Sequence, residues 1–149
     1  MLNGVRVPPV AHPVPHPLTH NGAVPPIPCP CGTGLPLVDC CGRALSGTAP
    51  AATAEALMRS RFTAFAEGDA DYLLRSWHPD TRPRRVELDP DQRWVRLEVL
   101  GRTGGGLLHA EGTVEFRAHY LEGAGQGVLH ENSRFTRSDG NWVYWGTVR

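Results

Sequence analysis

The chain has 149 residues, 40% of them hydrophobic, and its 15 acidic residues balance 15 basic ones to a formal net charge of +0. That size suits one compact domain with a small appendage, no run approaches a membrane span, and a neutral chain lacks a general electrostatic drive toward nucleic acid or anionic lipid. Every basic residue is arginine, and the absence of lysine excludes Schiff-base chemistry, pyridoxal-phosphate attachment and a P-loop lysine.

Residues 1–28 hold prolines at positions 8, 9, 13, 15, 17, 25, 26 and 28. They forbid a helix and predict an extended, disordered leader. His12, His16 and His20 fall four apart within it; such a tract binds metal weakly at best. All four cysteines follow at once, Cys29, Cys31, Cys40 and Cys41, in the pattern C-x-C-x8-C-C. Thiols clustered so closely read as a tetrahedral thiolate site over residues 29–43. Gly32, Gly34 and Gly42 suit loops that fold back on one ion with positive φ. A disulfide pair is the rival: neighbouring cysteines close strained rings, so only cross-pairs are comfortable. No secretion signal is recognised, which predicts a reducing, cytoplasmic setting and favours metal. With four thiolates and no open position the site would be structural; zinc is the default, and iron also suits four thiolates.

Residues 44–52 read as a small-residue linker with few apolar side chains, so knuckle and following domain are expected to be separable in stability. Thr53 caps a predicted helix to residue 66, with Leu57, Met58, Phe62 and Phe65 as its apolar stripe and Gly68 as its stop. Asp69 caps a second helix in which Ala70, Leu73, Leu74 and Trp77 share a face, closed by Pro79. The connector 80–91, with Arg82, Arg84 and Arg85, reads as a solvated loop. A β-meander follows, with strands at 93–100, 107–121, 128–137 and 141–148, a bulge near Glu111 and Gly112, and a hairpin turn at Asp139 and Gly140. Alternation puts Val114, Phe116, Ala118 and Tyr120 on one face with Leu129, Glu131, Ser133 and Phe135, and leaves His119 and His130 on the polar face. Together with His109 these histidines tempt a metal reading, but solvated strand histidines explain them better. Two helices before an antiparallel sheet make an α+β arrangement.

The run Cys29-Pro-Cys-Gly-Thr-Gly to Cys40-Cys-Gly resembles the SEC-C zinc knuckle of the SecA translocase tail. Leu57-Met-Arg-Ser-Arg-Phe-Thr-Ala-Phe65, Asp71-Tyr-Leu-Leu74 into Trp77-His-Pro79, Gly112-Thr-Val-Glu-Phe116 and His130-Glu-Asn-Ser-Arg-Phe135 are similar to the YchJ family (UPF0225). Two departures stand out: the SecA tail has histidine where this chain has Cys41, and some members carry a second knuckle beyond the position of Arg149. The resemblance implies an NTF2-like cone over residues 53–149 behind an N-terminal zinc knuckle, and no established activity.

Chemistry beyond the knuckle would sit in the mouth of that cone. Glu131 and Ser133 share the face of Phe135, and a buried carboxylate needs a partner or water. Arg59 or Arg61 is the expected partner, with Trp77, His78, Tyr120 and Trp145 lining the same space. Such a site is equipped for proton transfer on a small ligand; a buried Arg–Glu pair tying helix to sheet is the plainer expectation. The chain is therefore read first as an interaction or adaptor module, docking a protein or ribosome-associated partner through Pro30, Leu35, Pro36, Leu37 and Val38; the SecA knuckle, as a docking element, suggests this by analogy. A small-molecule binder or enzyme of dehydratase or isomerase type is the alternative. A filled cone favours the first, an open cavity reaching Glu131 the second.

Overall fold

A computed structural model describes residues 25–148; the leader up to residue 24, with His12, His16 and His20, lies outside the described residues, as does Arg149. The knuckle folds through short turns into a 3-10 turn at Leu37–Asp39 and helix α1, Cys41–Leu45. Helices α2, Ala54–Glu67, and α3, Ala70–Arg75, follow. Strands β1, Gln92–Gly104, β2, Glu111–Glu122, β3, Gly125–Ser138, and β4, Asn141–Thr147, complete the chain. The strands form one antiparallel meander in sequential order, with the helices on its concave face. This is the α+β cone expected.

Local chemistry sets the helix ends. The Thr53 hydroxyl accepts the Ala56 amide at 3.0 Å, and Gly68 leaves α2 in the left-handed conformation at φ 76°. Asp69 caps α3 by accepting the Tyr72 amide at 2.9 Å. That helix stops at Arg75, short of Trp77. Residues 76–78 pair with β4 instead: the Tyr144 amide donates to Ser76 O and the His78 amide to Tyr144 O, each at 2.8 Å. Sheet hydrogen bonds to an otherwise open strand edge replace the last helical turn.

The bulges also fall elsewhere than expected. β2 starts only at Glu111, the expected strand residues 107–110 being turn, and pairs without a bulge at Glu111 and Gly112, whereas β1 slips register at Trp94/Arg96 and Val99/Gly101. Two extra residues on one edge strand bend it around α2. Val95 and Leu100, the residues inserted, are accordingly exposed. A third slip, between Arg134 and Phe135 on β3 and their β4 partners, leaves Trp145 unpaired. The convex face is polar, with His119 on Glu98 at 2.5 Å, His130 on Glu115 at 2.9 Å and Arg134 on Glu111 at 2.8 Å. These pairings, and a bond from the Gly106 amide to His109 Nδ1 at 2.9 Å, account for the three histidines without metal.

The knuckle is not loosely tethered. Cys29, Cys31 and Cys41 belong to the same buried cluster as Leu57, Met58, Phe62, Leu97 and Phe135, with Leu37 and Leu45 packed against it. Gly32 and Gly34 have the expected positive φ, at 86° and 84°. Gly42 does not; it serves close approach, since a Cβ there would lie 2.5 Å from Leu37 O.

The β1–β2 turn depends on a similar approach. A Cβ on Gly112 would meet the Gly105 Cα and N at 2.5 Å, and Gly105 O in turn accepts the Ala54 amide at the start of α2. Gly112→Ala should therefore push the hairpin off α2 and cost about 1–3 kcal/mol in a urea titration.

Candidate metal centre and cone cavity

The four Sγ atoms lie within 4.8 Å of one another, all four thiols are free, and Cys31 Sγ is 3.6 Å from Cys40 Sγ. A tetrahedral ion with bonds of about 2.3 Å holds its sulfurs about 3.8 Å apart, so the cluster needs only small adjustment to close on one. A disulfide requires about 2.05 Å and is not formed. The donor set is soft, closed and largely buried, which suits a structural ion.

Charge is already prepared there. A hydrogen bond from Cys41 holds the Cys31 thiol down to about 4, and the same bond pushes Cys41 up. Burial pushes Cys40 up. One thiolate supported by neighbouring thiols is a nucleus for a cation, whose binding would expel the remaining protons. Around the sulfurs, Thr63 Oγ1 from α2 lies 3.7 Å from Cys29 Sγ and Thr33 Oγ1 lies 3.2 Å from Cys40 Sγ.

Arg59, expected to face the cone, clamps the knuckle instead. Its Nη1 donates to Cys31 O at 2.8 Å and its Nε to Glu55 at 3.1 Å, while Arg102 from β1 also reaches Glu55. Burial would raise the Glu55 carboxyl, but the two guanidinium groups outweigh it and hold the carboxyl low. Residues two apart on a helix point in opposed directions, so Arg61 goes the other way, into the cone.

A cavity of about 210 Å³ lies between α2 and the concave sheet. Its walls are mostly aromatic: Phe62, Phe65, Trp77, Trp94, Phe116 and Phe135. Arg61, Glu131, Ser133 and Tyr144 supply polar atoms. Of the residues expected there, Arg61, Trp77, Glu131 and Ser133 come together. Arg59, His78, Tyr120 and Trp145 do not line it. The Tyr120 ring packs behind Trp94 at 5.0 Å, and His78 meets Trp145 edge-on at 4.8 Å, neither His78 nor Trp145 lining the cavity. Trp145 shares the convex side with Arg134, whose guanidinium lies 5.8 Å from its ring. Tyr144, one residue earlier, takes the place assigned to Trp145. Alternation from the buried Trp142 would have found it.

The expected Arg–Glu ion pair is absent among the described residues. Arg61 spends Nη1 on Leu73 O at 2.8 Å and Ser76 Oγ at 2.7 Å, and its guanidinium carbon lies 4.6 Å from the Tyr144 ring centre and 5.1 Å from that of Trp77. Glu131 Oε2 instead accepts the Ser133 and Tyr144 hydroxyls, the latter at 3.3 Å. Packing had filled the space between the two charges with the Tyr144 ring, which takes the cation on its face and the anion on its hydroxyl. Burial lowers Arg61 to about 10, so it stays cationic near neutral pH. Burial likewise pushes the Tyr144 phenol up, keeping it a donor.

Comparison with known proteins places this geometry. The family described as YchJ, middle NTF2-like domain, matches residues 53–147. A UPF0225 protein of Streptomyces coelicolor is 58% identical over 117 residues, covering 78% of this chain and 91% of its own length. One from Corynebacterium efficiens is 53% identical over 78% of this chain and 88% of its own. The solution structure of a SEC-C motif containing protein from Rhodopseudomonas palustris superposes with a TM-score of 0.71 at 34% identity, covering 82% of this chain and 98% of that one. A crystal structure of a SEC-C motif containing protein from Psychrobacter arcticus gives 0.61 at 25% identity, over 82% and 80% of the two chains. The chain belongs to the YchJ-like UPF0225 family, with a SEC-C cysteine knuckle set on an NTF2-like domain.

Proposed function

We propose that this is a small-molecule-binding protein whose cone takes the ligand and whose knuckle holds a structural zinc ion through Cys29, Cys31, Cys40 and Cys41. The observation that carries the reading is the cavity of about 210 Å³ reaching Glu131. A cone made only to join helix to sheet would be filled at native packing density. Glu131 offers the ligand a half-buried carboxylate oriented by two hydroxyl donors, a group able to accept a hydrogen bond or a proton. The interaction reading keeps one support: Leu35 and Val38 on the knuckle are 50% and 72% exposed, while Leu37 is drawn into the core. Among the described residues no helix is long and apolar enough to cross a membrane.

Native mass spectrometry of protein made without added metal or nickel affinity steps tests both halves, since it reports metal stoichiometry and co-purified ligand together. One zinc per chain and a small bound molecule are expected.

Filling the cavity separates the ligand role from packing. Ala118 is 3% exposed, lines the cavity and sits opposite Leu97 and Leu129 in the sheet. Ala118→Leu should gain about 1 kcal/mol in chemical denaturation while abolishing ligand uptake. A loss of stability would mean that no usable space is there.

Glu131→Gln should change stability by less than about 1 kcal/mol, because Gln Oε1 accepts the same two hydroxyls and no ion pair is broken. A loss of about 3–5 kcal/mol would mark a buried charge pair and return the adaptor reading to first place.

Metal removal should be felt throughout the domain. Three of the four ligands sit in the main core beside Leu57, Met58 and Phe62. A chelator, or the Cys40→Ser, Cys41→Ser double variant, is expected to lower the single thermal midpoint by 5 °C or more, at about 4–8 °C per kcal/mol for a small domain. A separate knuckle transition that leaves tryptophan fluorescence unchanged would show that the two parts unfold independently.

A further inference from the structure

We infer that the cone takes a small monocarboxylic acid with a single-ring or branched aliphatic body, its carboxylate received by Arg61; this deepens the ligand-binding reading and rests on it. Arg61 is 6% exposed and lines the cavity, yet no carboxylate forms an ion pair with it among the described residues. Both of its bonds leave from Nη1, so among the described residues the Nε and Nη2 donors have no protein acceptor. That pair of donors is the fork that matches a carboxylate bidentately. The Trp77 and Tyr144 rings, at 5.1 and 4.6 Å, hold the guanidinium in place before any ligand arrives.

The site is short of negative charge where Arg61 lies. Glu131 shares the cavity, but its Oε2 is committed to Ser133 and Tyr144. Burial outweighs the pull of surrounding groups on Arg61, including Glu131, and leaves its proton held less tightly than usual. A ligand carboxylate would supply the missing counter-charge. Glu131 also sets the limit: one cation and one carboxylate on the same cavity suit a monoanion and disfavour a phosphate dianion.

Size and lining settle the body of the ligand. An apolar cavity of about 150 Å³ accepts benzene, so the 210 Å³ present here holds one ring with a small polar substituent. Phe62, Trp94, Phe116 and Phe135 offer that ring faces and edges on several sides.

Benzoate and benzamide, equal in shape and different in charge, are the probes, titrated into the full chain with the tryptophan indole signals followed by NMR. Benzoate is expected to bind about tenfold more tightly than benzamide, as charge-assisted pairing predicts. Glu131→Gln should tighten benzoate severalfold by removing repulsion and leave benzamide unchanged. Arg61→Gln, which retains a donor for Leu73 O, should erase the preference, and the Glu131→Gln result stands even where that variant folds poorly. Benzamide binding as well as benzoate, with both lost in Ala118→Leu, would overturn the assignment to Arg61 while leaving the cone a ligand site. Failure of either probe to shift any indole signal would overturn the ligand reading and this assignment with it.

Discussion

The structure depends on α2 having almost no face turned to solvent. The concave sheet covers one side of it, and the cysteine knuckle with α1 covers the other. This explains an odd buried inventory for a short helix: Ser60, Arg61 and Thr63 are buried alongside Leu57, Met58 and Phe62. Each of these three has at least one partner. Ser60 meets the Tyr72 hydroxyl at 2.5 Å, Thr63 meets Cys29 Sγ, and Arg61 meets Leu73 O. Unmet, each would cost about 1–3 kcal/mol, so the knuckle and α3 are conditions for the helix rather than additions to it.

The same constraint couples the two sites. Arg59 and Arg61 leave α2 on opposed sides, one to the knuckle backbone at Cys31 and one to the cone. Thr63, one turn from Arg59, touches Cys29 of the thiol cluster while its neighbour Phe62 lines the cavity. A change in metal occupancy would act on the ends of side chains whose backbone also carries the cone wall. A rigid helix transmits such a shift directly, although the scarcity of apolar side chains in residues 44–52 favours the expectation that knuckle and domain are separable.

Much of this was legible because it is local. The caps Thr53 and Asp69, the stop at Gly68, the turn at Asp139 and Gly140, and the in-out alternation of β2 and β3 follow from side chains within a few residues. The thiol cluster was legible from spacing alone. What failed was set at a distance. The bulges in β1 answer to the curvature of the sheet around α2, and α3 lost Trp77 to the edge of β4 across more than sixty residues of chain. The slip beside Phe135 and the facing of β4 decided between Tyr144 and Trp145, a choice that alternation from Trp142 favours only once that strand's buried face is known. The Arg–Glu pair was inferred from two charges near one space, and an aromatic ring between them is a packing outcome that no spacing encodes.

The cavity is the feature that stability alone does not explain. Sealed empty space in a core costs about 24 cal/mol per Å³, which sets an upper bound of about 5 kcal/mol for 210 Å³; this cavity opens partly to solvent, with Leu129 on its wall exposed. Water offsets part of that, but most of the wall is aromatic and gives water few partners. Ala118 lines the space from an inner strand of the sheet, where a larger side chain would occupy it. Keeping alanine at that position, beside a buried arginine with unspent donors, makes sense when something other than protein occupies the cone. A void, a desolvated cation and an oriented carboxylate each carry a cost alone. A bound carboxylic acid would offset the first two together: its body restores the missing contacts and its charge meets the guanidinium.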